Sequence, residues 1–266
     1  MTTLDTLNET FKSCRPQLKS YILRMTASVE DTEDIVQETY LKAHKNLESF
    51  RGDSSLKTWI FTIASNLARD FLRAKKRWPE NVTDICKEAA LSNRQFFQEM
   101  MEIRTTSPQG DFEIREHITF CFTCIAKSLP IEQQLCLLLK EIYAFQVSEI
   151  AQILDKSEAM IKYYLHTARS KMTAIFDHRC ALINKEGVCH QCTELNGIFN
   201  PKQKVQEELM KIEMVRAAGQ KDKATLFDLR LEIVRAIDPF ESGAAALQLH
   251  HLTHNKAVMD KYLEEK

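Results

Sequence analysis

VSEIAQIL-DKS-EAMIKYYLHTAR, residues 147–169, is the stretch on which the fold class turns. Ile150, Ala151 and Leu154 recur at helical spacing before the DKS break, and Ile161 and Leu165 do so after it. Two short amphipathic helices joined by a tight polar turn have the layout of a helix-turn-helix. If the apolar residues fix the pair, then Ser157, Glu158, Lys162, Tyr163 and His166 face solvent, with Arg169 further along the second helix. A helix of this kind fits a DNA major groove, with base edges at its N-terminal half and phosphates at its cations. An ordinary helical hairpin accounts for the same spacing.

Outward from this segment the chain keeps its helical character. Six Gly, six Pro and 44% hydrophobic residues in a 266-residue chain predict an all-α protein with real cores. The expected architecture is two small helical domains joined by a linker, followed by a Cys/His loop and a helical C-terminal extension. The first domain, 5–78, contains three amphipathic helices. Ser28 with Asp31 makes a capping-box-like start to the second of them, which buries Ile35, Val36, Tyr40, Leu41 and Leu47. The third helix carries Trp59, Ile60, Ile63, Leu67 and Phe71 on one face. Residues 79–111, bracketed by Pro79, Asn81, Pro108 and Gly110, are the linker. Residues 112–176 form the second domain, with a helix from the Leu129–Pro130 break through Ala144 ahead of the helix-turn-helix. Residues 177–203 are the Cys/His segment and 204–266 the extension.

Net charge is −1, so no global basic excess points to nucleic acid, but the distribution is uneven. Residues 28–38 hold five carboxylates and no base, whereas 69–77 hold five bases and one acid. Lys57, Trp59, Asn66, Arg69, Arg73, Lys75, Lys76 and Arg77 interleave cations and aromatics, a composition that suits unstacked bases and phosphates. Trp59 at helical spacing also reads as core. No stretch approaches a membrane span and the N-terminus lacks an apolar signal core, which gives a cytoplasmic expectation.

Eight cysteines without an export signal read as thiols or metal ligands. His178, Cys180, Cys189 and Cys192 give H-x-C-x8-C-x2-C, a set suited to a closed tetrahedral zinc site of structural type, with His190 competing as fourth ligand. Unligated reduced cysteines are the other reading. A weaker set, His117, Cys121 and Cys124, shares one helical face and reads equally well as core. His250, His251 and His254 lie at helical spacing and are expected on an exposed polar face. An enzyme built on these tail histidines lacks a carboxylate or nucleophile constellation behind it.

FKSCRPQLKSYILRMT, VEDTEDIVQETYLKAHKNLESFRG and LKTWIFTIASNLARDFLRAKKR follow one another in the first domain, and LPIEQQLCLLLKEIYAFQVSEIAQIL and IKYYLHTARSKM in the second. Together they resemble regions two and four of extracytoplasmic-function (ECF) sigma factors, over roughly 8–78 and 112–176. That resemblance implies a non-enzymatic promoter-recognition factor whose partners are core RNA polymerase and promoter DNA. It implies that Asp31, Glu33, Asp34, Gln37 and Glu38 meet the polymerase clamp. It places residues 51–77 at the −10 element and helix 158–172 at the −35 element. No cofactor is required for chemistry, and a structural zinc is the one candidate. Tyr163 and Tyr164 stand where the family commonly has a small residue and Arg, and Thr167 replaces a base, so the −35 preference is expected to be unusual. The extension falls outside both regions and suggests self-regulation, replacing or supplementing an anti-sigma protein; the His117 set resembles the ligand motif of zinc-binding anti-sigma factors over eight residues. A free-standing helix-turn-helix regulator with a metal- or redox-sensing Cys/His segment is the alternative, but it leaves the acidic and aromatic-basic helices without a role.

Overall fold

A computed structural model describes residues 2–106, 114–180, 188, 222–243 and 245–266, and these contain helices and no strand. The helices are α1 (Leu4–Thr26), α2 (Val29–Lys45), α3 (Leu56–Arg73), α4 (Val82–Ser92), α5 (Arg94–Thr106), α6 (Ile114–Ala126), α7 (Ile131–Leu137), α8 (Val147–Leu154), α9 (Glu158–Arg179), α10 (Lys223–Ala236) and α11 (Ala245–Glu264).

Side-chain caps set many of their starts. Thr3, Ser28 and Ser55 each accept a backbone N–H three residues on, at the heads of α1, α2 and α3. Between α2 and α3, Gly52 sits at φ +80, a left-handed conformation that glycine adopts without steric cost. The helix-turn-helix lies where expected: Gln146 and Glu149 cap α8 reciprocally, and Asp155 ends it in the left-handed region at φ 53. The helix expected through Ala144 instead stops at Leu137. Leu138–Ile142 widen into a π turn, closed by Tyr143 N–H to Leu138 C=O at 3.1 Å.

The sequence suggested domains in succession, whereas the contacts interleave two units. One comprises Met1–Arg77 with Leu129–Ala168, the other Trp78–Ser128 with Arg169–Lys266. In the first, α1, α2 and α3 pack around Leu7, Leu18, Tyr21, Ile22, Val36, Ile60 and Phe61. The buried face of α3 is Thr58, Ile60, Phe61, Ala64, Ser65, Ala68 and Leu72; of the expected Trp59–Ile60–Ile63–Leu67–Phe71 stripe only Ile60 is fully buried and the rest are partly exposed. Phe61 is enclosed by Tyr21 and by Phe145, a residue of the later segment that periodicity within α3 does not reveal. Leu41, expected in the core, is exposed.

In the second unit the expected linker is helical and has a core of its own. Ala90, Phe96 and Met100 of α4 and α5 are buried with Leu247 of α11. Phe122, Phe176 and Phe227 bring α6, the end of α9 and α10 together, with ring centroids 6.3–6.5 Å apart. The tail histidines do not form an exposed face. His251 is buried, and His250, His251 and His254 all lie around Phe96, with centroids at 5.4, 5.4 and 4.0 Å.

Candidate polymerase and nucleic-acid interface

The acidic helix divides by environment. Glu33 turns toward α1, where Lys19 lies at 2.5 Å and Arg15 at 3.5 Å, so its charge is spent within the fold. Asp34, Gln37 and Glu38 are exposed, and Asp31 is partly so. Exposed Leu41 follows Glu38 on the same face, one turn on. It is a functional candidate that the sequence reading assigned to the core. Its signal, a lone apolar residue beside a solvated acidic stripe, emerges only once α2 is seen to bury Ile35, Val36 and Ala43.

The aromatic-basic set splits too. Asn66, Arg73, Lys75 and Lys76 are exposed. Lys57, Arg69 and Arg77 are engaged by residues 129–149. Arg69 lies 3.2 Å from Glu132, and Arg77 donates to the Leu129 carbonyl at 2.7 Å and to the Gln134 side chain. Burial pushes the Arg77 guanidinium down to about 10. Lys57 stands over the Phe145 ring, 5.2 Å from its centroid, and the neighbouring Thr58 hydroxyl donates to Glu149 at 3.1 Å. Gln134 donates back to the Arg24 carbonyl at 3.1 Å, and Tyr143 donates to Ser20 at 2.9 Å. The segment ahead of the helix-turn-helix, with the start of α8, is thus fastened to α1 and α3. Trp59 packs on Phe50, at 5.2 Å between centroids, in a half-buried setting.

On α9, Ile161 and Leu165 are buried, while Glu158, Lys162, Tyr163 and His166 are exposed, as the spacing demands. Ser157 serves the fold, its hydroxyl capping α9 by accepting the Met160 N–H at 3.2 Å. Thr167 donates to the Tyr163 carbonyl at 3.0 Å. Arg169 is paired with Asp228 of α10 and lies 5.4 Å from the Phe227 ring.

Among the described residues no group of three or more His, Cys, Asp or Glu side chains is placed to hold a metal. His117, Cys121 and Cys124, the weaker candidate set, form no such group. They are core residues of α6, and burial holds His117 down to about 4 and pushes Cys124 up to about 12, which favours the neutral ring and the thiol. Cys189 and Cys192 lie outside the described residues. Cys180 directly follows α9, its Sγ 3.3 Å from the buried Arg230 guanidinium. No helix among the described residues is long and apolar enough to cross a membrane.

Two helical modules, one with an acidic and an aromatic-basic helix and one with a helix-turn-helix, define a sigma-type promoter-recognition protein. Residues 10–78 match the family model for sigma-70 region 2, and 119–172 that for sigma-70 region 4. The chain belongs to the ECF RNA polymerase sigma factors. It is 31% identical to the ECF sigma-E factor of Haemophilus influenzae over 148 residues, 56% of this chain and 76% of that protein. It is 28% identical to RNA polymerase sigma factor YlaC of Bacillus subtilis over 169 residues, 63% of this chain and 90% of that one. It is 30% identical to SigG of Mycobacterium tuberculosis over 170 residues, 60% of this chain, and there it spans 46% of the relative's length. Among solved structures, it is similar to the sigma factor RpoE of Bartonella quintana, in complex with the anti-sigma factor NepR, with a TM-score of 0.41 and 18% identity over 65% of this chain and 95% of that one.

Proposed function

We propose that this protein directs core RNA polymerase to promoters. The exposed acidic face of α2, with Asp31, Asp34, Gln37 and Glu38, docks on polymerase. The exposed part of the aromatic-basic set, with Asn66, Arg73, Lys75 and Lys76, meets the opened −10 strand, and the Glu158–His166 row of α9 enters the major groove at −35. The observation that carries this reading is the presence of both sigma regions, in order, on one chain, each with its expected contact residues largely on the surface. Polymerase supplies the chemistry, and this chain contributes binding without a catalytic group. It acts in the cytoplasm, where polymerase and promoters are.

Lys57, Arg69 and Arg77 engage DNA only after exchanging their contacts with residues 129–149. Zinc held by Cys180, Cys189, Cys192 and His178 is the candidate cofactor. Cys180 ends the described run 114–180, its Sγ 3.3 Å from the buried Arg230 guanidinium. A separate anti-sigma protein is a candidate partner. The decisive experiment is transcription by core polymerase on sheared genomic DNA, with and without the full chain, followed by sequencing of RNA 5′ ends. Discrete new start sites, with related sequences near −35 and −10, support the reading; identical transcripts in both arms refute it.

A further inference from the structure

On the second half of α9 each of three cations is matched by a carboxylate from elsewhere in the same unit. Arg169 is paired with Asp228 of α10, Lys171 with Glu80 at 2.9 Å, and Arg179 with Asp84 of α4. Phosphates would meet cations of this kind once the helix lay in a groove. The Asp228 contact is held in place by the packing of α10. Phe227 and Leu231 are buried, Arg230 lies over the Phe176 ring at 3.6 Å, and Lys223 reaches Asp177 at 2.6 Å. Arg169 is held from a second side by the Phe227 ring, so the pair is a fixed arrangement and not one of many exposed side-chain geometries.

We infer that α10 competes with DNA for the −35 helix, Asp228 occupying Arg169 in place of a backbone phosphate. This rests on the assignment of α9 to DNA. The C-terminal extension is then an intramolecular brake whose strength is set by one carboxylate. Because the contested contact is a phosphate contact, its release raises affinity for any duplex and adds one cation to the salt dependence.

The test uses the full chain and a 30-base-pair duplex of random sequence, with affinity followed from about 0.05 to 0.2 M salt. Asp228→Asn is expected to tighten binding several-fold and to steepen the plot of log affinity against log salt by about one. Glu232→Gln, an exposed charge-matched change on the same helix, is expected to leave the slope where it is. Arg169→Ala is expected to weaken binding, and the Asp228→Asn/Arg169→Ala double variant to bind like Arg169→Ala alone. A gain that survives Arg169→Ala, or no gain in Asp228→Asn while Lys162→Ala and Arg169→Ala both weaken binding, overturns the brake and leaves the DNA assignment standing. Wild-type affinity in both Lys162→Ala and Arg169→Ala removes the DNA assignment and the brake with it. Unchanged far-ultraviolet dichroism and thermal midpoint for Asp228→Asn, whose side chain is 56% exposed, separate release of the arginine from unfolding of the tail.

Discussion

Arg69 of α3 and Glu132 of α7 face each other at 3.2 Å with side chains only 14% and 26% exposed. The pairing is one of charge and not of an aligned hydrogen bond, since the Arg69 Nε finds no acceptor in hydrogen-bonding geometry. Glu132→Ala leaves a largely buried guanidinium uncompensated and should cost about 1–3 kcal/mol, read as an earlier urea midpoint. Glu132→Ala with Arg69→Met should recover most of that loss. A double variant no better than the single one would mean that the pair is not coupled.

The acidic face should separate binding from folding. Asp34→Lys and Glu38→Lys, at exposed positions, should weaken core polymerase binding at least tenfold at low salt, with an unchanged melting temperature. Glu33→Lys should instead lower the melting temperature, because it sets a cation against Lys19 and Arg15. Equal losses of binding from all three, with no change in melting, would contradict the division of this helix.

Stability should fall on mild acidification. His117 is held down to about 4, mainly by burial and secondarily by Arg230, and His251 is lowered too, by burial and by His117, His250 and His254. The unfolded chain takes up the His117 proton near pH 6.5, whereas the folded chain resists until about pH 4. The stabilisation from neutral burial is therefore complete above pH 6.5 and lost between there and pH 4, by about 1–3 kcal/mol for one such histidine. Glu99, 3.3 Å from His250, opposes the trend only at the edge of the cluster. Urea denaturation at pH 7 and pH 5 measures the difference, and His117→Leu should shrink it.

One zinc per chain should remain after purification under reducing conditions without an affinity tag, and Cys180→Ser should release it. The Arg230 guanidinium, 3.3 Å from that sulfur, then loses that contact, so the tail should become more open to protease in the same variant. Metal-free protein as isolated would refute the site.

The helices of the two sigma regions could be read from the chain because their signals are local. Ser28 and Ser55 cap where they stand, and Ile161 and Leu165 point inward by period alone. What escaped depends on residues distant in sequence. Phe61 is core because Phe145 covers it, and Val82, Cys86 and Phe96 are core because α6 and α11 arrive from later in the chain. The Pro and Gly bracketing 79–111 marks the ends of that segment and says nothing of the apolar stripe between them. The acidic and DNA-facing rows were recognisable as sets, but which members are already occupied was not. Glu33, Arg69, Arg77 and Arg169 find their partners only in three dimensions.

Because α11 closes over Phe96, a residue made some 150 positions earlier, the order of synthesis differs from the order of packing. As the nascent chain leaves the ribosome, α1 to α3 can assemble early, but α4, α5 and α6 must wait for the last helix with Phe96 and Met100 uncovered. Early in that interval the second half of α9 has been made and α10 has not. A newly translated molecule therefore passes through a stage in which Arg169 has no Asp228 to meet, and under the proposed brake its competence for DNA would depend on how recently it was made.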